Sequence, residues 1–224
     1  MVAVCNSTLG LPRMCSKKNV AVLGGAFDPV HKDHVKVAKT CLDQGFCDEV
    51  WFMPSPDRWD KTLHASPEDR FAMLELAFSG DSRLVLSDLE IKQGDFRGSY
   101  VFLMGIRDMF PDINFRLLVG ADSYENIPHW RDPMNFYGTN YNGHLLLRDI
   151  ELIVFARRGY PKPDIDLHNS KGYAPLLWLG PEQGFEGEYS STSIRKSLLM
   201  SRKKPEGLDN QVYEFIIENN LYNI

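Results

Sequence analysis

The sequence of 224 residues predicts an α/β protein: a doubly wound, mainly parallel sheet with helices on both faces and a short helical part near the C-terminus. Two observations predict it. Short apolar runs, several rich in β-branched residues, alternate with amphipathic stretches, which is the pattern of βαβ units. Three of those runs end in Gly or Pro, at residues 24–25, 54 and 120, so the loops that build a site gather at one edge of the sheet. With 43% hydrophobic and 25% charged residues, the chain has an ordinary globular composition and enough apolar material for a core.

Residues 20–23 (Val-Ala-Val-Leu) have the length and apolarity of a strand buried on both faces. Gly24 and Gly25 stop it with residues that permit positive φ and close backbone approach. Val35, Ala38, Cys41 and Leu42 share one face of a helix over 34–44, closed by Gly45. Residues 49–54 read as a second strand with a proline stop, and 55–66 as a polar loop. Ser66-Pro67-Glu68-Asp69 opens a helix with a cap, a proline at the first position and acids in the first turn. Phe71, Leu74, Ala77 and Phe78 form its apolar stripe. Residues 83–91 are expected as a third strand that turns polar near a sheet edge. Ser99 is expected to cap a helix ending before Pro111. Buried strands follow at 114–120, 151–156 and 175–179, and closing helices at 191–200 and 208–219.

The net charge of −5 argues against non-specific binding to nucleic acid. An anionic small molecule stays open, because phosphate sites depend on local donors. No apolar run approaches the length of a membrane span. The four cysteines stand at 5, 15, 41 and 47 without a C-x-x-C pair, so free thiols in a reducing cytoplasm fit better than a Cys5–Cys15 disulfide. Residues 1–18 lack a basic start followed by a sustained apolar core and read as an N-terminal extension, with Met14 as an alternative start. Residues 19–224 read as one domain with no internal repeat.

The chemistry concentrates in two stretches. Gly24-Gly25-Ala26-Phe27-Asp28-Pro29-Val30-His31-Lys32-Asp33-His34 places two histidines three apart, on one face of a helix start where backbone N–H groups suit phosphate. Tyr189-Ser190-Ser191-Thr192-Ser193-Ile194-Arg195 opens another helix with hydroxyls and a guanidinium, either an ordinary cap or a polyphosphate site. The first stretch resembles the GGxFDPxHxGH signature of the nucleotidylyltransferases. The second resembles the ISSTxIR motif of nicotinate and nicotinamide mononucleotide adenylyltransferases. Further segments follow in that family's order. Residues 70–77 resemble its R-x-x-M-L-x-L-A helix, and Ser99-Tyr100 its SYT segment. Gly120, Asp122 and Trp130 fall in a GxDS…W region; 155–161 and 212–222 resemble its later strand and terminal helix. The resemblance begins near Asn19, covers most of the chain and implies a Rossmann-like fold.

What the resemblance implies is transfer of AMP from ATP to a pyridine mononucleotide, with release of pyrophosphate, in NAD biosynthesis. His31, His34 and Arg195 take the catalytic roles, stabilising charge on the transferring phosphates. Gly24, Gly25, Ala26, Phe27, Ser190 and Thr192 complete an ATP site. Trp130 is expected to stack on the pyridine ring, and Asp122 to orient sugar hydroxyls. Ser99, Tyr100, Gly120 and Arg157 are expected beside the acceptor. Arg58 or Lys61 supplies a further phosphate contact, or both are solvated loop residues. Magnesium is expected on the polyphosphate, with no carboxylate cage in the protein.

The chain departs from the family in several places. Asp33 stands where the signature has Gly; it is expected to point away from the triphosphate, so activity survives. Tyr189 replaces Ile, and Val101 replaces Thr. Residues 135–149 contain an insertion with a hairpin-like turn, whose passive surface role is the default beside an acceptor cover or a subunit contact. Arg202-Lys203-Lys204 reads as a solvated helix end. Two alternatives remain: transfer to phosphopantetheine, glycerol phosphate or a flavin, and a weakly catalytic nucleotide sensor. The signature's spacing inclines the expectation towards nicotinate.

Overall fold

The computed structural model of the chain describes residues 17–78, 80–132, 134–201 and 203–223, together with the backbone of 4–5 and 13–14, which pair antiparallel. Cys15, Arg202 and most of the expected extension lie outside the described residues, as do the side chains of Cys5 and Met14.

Six strands form the main sheet among the described residues: β1 (Lys18–Gly25), β2 (Glu49–Pro54), β3 (Leu84–Leu86), β4 (Ile113–Gly120), β5 (Glu151–Phe155) and β6 (Leu176–Leu179). All neighbours run parallel in the order β3-β2-β1-β4-β5-β6. Alternation along β1 shows why the sheet is covered twice. Ala21 and Leu23 face a core with Val37, Ala38, Cys41 and Leu42 of α1 (Lys32–Asp43) and Met73 and Leu74 of α2 (Pro67–Ala77). The same core takes Ile194 and Leu198 of α8 (Ser191–Met200) and Val212 and Ile216 of α9 (Asn210–Glu218). Val20 and Val22 face the other core, with Phe102, Leu103 and Ile106 of α4 (Ser99–Met109) and Leu146 and Leu147 of α6 (Gly143–Asp149). The expected doubly wound architecture is therefore the observed one.

Helix ends follow local chemistry. Ser66 Oγ accepts from Asp69 N at 3.0 Å, the expected cap of α2. Gly45, at φ 69°, ends α1 with Gly45 N on Leu42 O and Phe46 N on Cys41 O, a Schellman arrangement. The sulfurs of Cys41 and Cys47 lie 3.4 Å apart as buried thiols on either side of this turn.

Several elements differ from expectation. The third strand stops at Leu86, and residues 89–92 turn into α3 (Leu89–Lys92), because the edge strand has a ladder on one side only. On α1, Val37 is buried rather than Val35, and on α2 the buried residues are Arg70, Met73 and Leu74. The cap of α4 is Gly98, at φ 86°, where a side chain would also press on the Arg131 carbonyl; Ser99 is the first helical residue. The insertion is a closed turn, bridged at Arg131 and Tyr141, and its second half is α6.

Candidate active site

A cleft of about 700 Å³ opens above the carboxyl ends of β1 and β4, where the strand order reverses. Open α/β sheets bind ligands at such a switch point, and the volume is that of a small-molecule site. Its floor is bare backbone at the end of β1. A side chain at Gly24 would meet nothing within 4 Å, and one at Gly25 would rest on the Phe27 ring. Neither glycine has positive φ; that conformation falls to Phe27, at φ 51°. The glycines therefore serve close approach, while Phe27 makes the turn, held by burial of its ring against His34 and Phe52.

His31 and His34 both line the cleft, with their rings stacked at 3.6 Å. The main-chain N–H of His31 donates to Nδ1 of His34 at 3.2 Å, so His34 carries its proton on Nε2. Burial, aided by the charge of Arg157, pushes His31 down to about 3. Burial, His31, Arg157 and Lys61 together hold His34 well below its ordinary value. Both imidazoles are neutral N–H donors near pH 7 rather than cations.

The N-terminus of α8 forms the adjoining wall through Ser190, Ser191 and Thr192. Ser190 caps the helix, its Oγ accepting from Ser193 N at 3.1 Å, so the capping and cleft-lining roles coexist. Ser191 Oγ donates to the Pro29 carbonyl at 2.8 Å, tying this helix to the signature loop. Arg195 stands behind the wall. Its guanidinium donates to the Asp28 carbonyl and lies 3.8 Å from the Asp28 carboxylate, so it does not line the cleft directly.

Asp28 is a hub that the sequence did not disclose. Its buried carboxylate accepts from His64 N at 2.9 Å, Ala65 N at 3.2 Å and the Tyr222 hydroxyl at 2.9 Å. Arg70, fully buried, donates to the carbonyls of Ala26 at 2.8 Å and Ala65 at 3.2 Å. The Asp in the signature and the Arg opening the R-x-x-M-L pattern were the available signals, yet their partners lie far along the chain.

Trp130 is half-buried and lines the same cleft, as do Ser99, Asp122 and Arg157. A side chain at Gly120 would fall 2.3 Å from Asp122 Oδ1 and 3.1 Å from Arg157 Cγ, so Gly120 makes room for this pair. Asp122 Oδ1 and Arg157 Nε are 3.7 Å apart, and Arg157 Nη1 donates to the Tyr189 carbonyl at 2.8 Å. Arg58 and Lys61 also line the cleft; Arg58 forks onto Asp60 and lies 4.1 Å from the Phe96 ring centroid. Burial and the cations Arg58 and Arg195 lower the Lys61 pKa.

Tyr100 is corrected. It is buried, its hydroxyl donates to Asp149 Oδ2 at 2.7 Å, and its ring meets Tyr137 of the insertion. One residue along a helix turns the side chain by about 100°, so Ser99 faces the cleft while Tyr100 faces the core. Beyond its root at Arg131, the insertion does not reach the cleft wall. Glu90 on α3 does, although the sequence reading placed it in a strand. It is 6% exposed, has no hydrogen-bond partner among the described residues, and burial pushes it up to about 7 against the pull of Arg58 and Arg70.

Residues 22–197 match the cytidylyltransferase-like family model, and the chain belongs to that family. The expected membership of the nucleotidylyltransferase group is thereby borne out at the level of the family. Among its relatives is a probable nicotinate-nucleotide adenylyltransferase of Rhodopirellula baltica, 35% identical over 155 residues, covering 68% of this chain and 67% of that one. Another of the same name, from Clostridium botulinum, is 29% identical over 210 residues, 91% of this chain and 98% of that one. The solved nicotinic acid mononucleotide adenylyltransferase of Plasmodium falciparum, complexed with NaAD, shares the fold at TM-score 0.75 and 21% identity, covering 92% and 98% of the two chains.

Proposed function

We propose that this chain transfers the adenylyl group of ATP to nicotinate mononucleotide. The acceptor's phosphate oxygen attacks the α-phosphorus, the bond to the bridging oxygen breaks, and pyrophosphate leaves as the dinucleotide forms. One observation carries this reading: the histidine pair, the N-terminus of α8 and Trp130 meet in one cleft at the switch point of the sheet. The names of the relatives support the acceptor.

In this reading the protein aligns the reactants and offsets developing charge, with no covalent intermediate. The triphosphate lies over the backbone at Gly24, Gly25, Ala26 and Phe27. His31 and His34 each donate an N–H to the transferring phosphate and the bridging oxygen, as neutral groups that need no deprotonation. Ser190, Thr192 and Lys61 hold the β and γ phosphates. Arg195, held on the Asp28 carbonyl behind the α8 wall, favours the same oxygens through its positive charge rather than by direct contact. Trp130 stacks on the pyridine, Asp122 binds sugar hydroxyls, and Arg157, with Ser99 and Arg58 nearby, meets the acceptor's anionic groups. No three His, Cys, Asp or Glu side chains converge on a metal position among the described residues, so magnesium is proposed to arrive on the triphosphate as part of the substrate. A single catalytic domain over 19–224 and a cytoplasmic location belong to the same proposal.

The test is product analysis with MgATP and each acceptor separately. Nicotinate mononucleotide is expected to yield dinucleotide and pyrophosphate in equal amounts, with the nicotinamide nucleotide slower. Turnover only with phosphopantetheine, or ATP binding without turnover on any acceptor, would overturn the assignment.

A further inference from the structure

Asp33, the residue that breaks the histidine signature, has a structural partner. Its carboxylate is buried at 6% exposure, and one oxygen, Oδ2, accepts two main-chain N–H groups, from Glu188 and Tyr189, at 2.7 Å each. These amides belong to the strap of residues 185–190 that leads into α8. The strap's other edge lies along the end of β5, with Gly187 N on the Ala156 carbonyl at 3.0 Å and Arg158 N on the Gly187 carbonyl at 3.2 Å. Its C-terminal end is Tyr189-Ser190, the start of the phosphate-binding motif.

The second departure from the family pattern is Tyr189, and it touches the first. Tyr189 donates its N–H to Asp33, while its ring lies against Gly207, where a β-carbon would fall 2.6 Å from ring atoms. The Gly207 carbonyl in turn accepts from Lys32 N, the residue next to Asp33, at 2.9 Å. Asp33, Tyr189 and Gly207 thus close a ring of contacts joining the start of α1, the strap and the α8–α9 connection. A glycine at position 33 leaves the Glu188 and Tyr189 amides without this acceptor. Two buried donors to one carboxylate oxygen form a strong, charge-assisted link.

We infer that Asp33 is a positioning residue for the triphosphate end of the site: its carboxylate latches the 188–189 amides and so sets Ser190 and Thr192 against His31 and His34. Asp33 borders the cleft between the two histidines, and the role inferred for it is exerted through the strap, not on a reacting atom. From sequence, Asp33 is expected only to point away from the triphosphate; in this inference it fixes the distance between the two stretches proposed to bind phosphate. This inference rests on the proposed adenylyl transfer for the identity of the ligand, and on the observed bonds for the latch itself.

The test combines turnover with binding. Wild type, Asp33→Ala and Asp33→Asn are compared by calorimetry with the α,β-methylene analogue of ATP and, separately, with nicotinate mononucleotide. Wild-type turnover is measured alongside. The analogue is expected to bind Asp33→Ala about tenfold more weakly, the scale of losing charge-assisted hydrogen bonds to a binding segment. Affinity for the mononucleotide is expected to fall by no more than about threefold, because Trp130 and Asp122 sit on β4-side elements and only Arg157, bonded to the Tyr189 carbonyl, joins the acceptor side to the strap. Asp33→Asn keeps an acceptor oxygen in place and is expected to recover most of the loss. Should Asp33→Ala not fold, Asp33→Ser, too short to reach both amides, carries the same expectation. Unchanged analogue affinity, or an equal loss for both ligands, would overturn the latch. A wild type inactive on the mononucleotide, with the analogue still bound more weakly by Asp33→Ala, would sink the proposed acceptor and uphold the latch.

Discussion

Replacing Glu90 by Gln removes a buried charge whose cost depends on pH. The folded protein holds this carboxyl at about 7 against an ordinary 4.5, because burial disfavours the ion more than Arg58 and Arg70 favour it. The sign follows from proton binding. Between those two values the folded state holds the proton and the unfolded chain has lost it, so stability falls as pH rises through that window. Below about 4.5 both states are protonated and the penalty vanishes. Above about 7 it reaches its full size, about 3 kcal/mol at 1.36 kcal/mol per decade. The Gln variant carries no such penalty. Its melting temperature relative to wild type is therefore expected to climb with pH, by about 6–12 °C between pH 4.5 and 8 for a domain of this size. Scanning calorimetry at four or five pH values reads the slope, which is insensitive to any constant cost of the amide. Two parallel curves would refute the reasoning and mean that Glu90 is solvated or paired in solution.

Other expectations concern the rest of the site. His34→Ala is expected to lower turnover by about 10²-fold while melting stays near wild type, since a preorganised donor to the transferring phosphate is lost; near-normal turnover would remove His34 from that role. In the free protein, the His31 resonances are expected to show no protonation down to about pH 5 and the His34 midpoint to lie well below the ordinary imidazole range, because burial disfavours both cations; an ordinary midpoint for either would contradict the neutral-donor reading. Trp130→Ala is expected to raise KM for the pyridine mononucleotide about tenfold and to leave KM for ATP nearly unchanged, as checked by steady-state kinetics. Tyr222→Phe deletes the hydroxyl that donates to Asp28 and is expected to cost about 1–2 kcal/mol in denaturant unfolding; no change would mean that water replaces it without loss.

Much of this arrangement was legible because its causes are local. The run from Gly24 to His34 carries its strand, turn and helix start in adjacent residues, and the Ser66 cap is set within three positions. Ser190 was readable both as a cap and as a cleft residue, and it is both. What escaped depends on the three-dimensional neighbour. Asp33 meets its donors 155 and 156 residues downstream, so nothing near it in sequence indicates what its charge faces. Glu90 enters the cleft only because the edge strand ends early and α3 begins. Tyr100 follows a cleft residue in sequence and yet points to Asp149, a consequence of helix rotation that a motif match ignores. Arg70 was visible only as the first residue of the R-x-x-M-L pattern, whereas two backbone carbonyls make it one of the most buried side chains.

The bonds around Asp28 also bear on how the molecule assembles. This one carboxylate gathers a main-chain donor 36 residues away and a hydroxyl 194 residues away, while its carbonyl receives Arg195 from 167 residues away. Contacts of such sequence separation carry a loop-closure cost that is met only after the intervening strands have paired. The mouth of the cleft is thus expected to form last and to open first, ahead of the sheet. Bound nucleotide would then protect the chain from proteases at 64–65 and 195–222 before any gain in global unfolding is measurable.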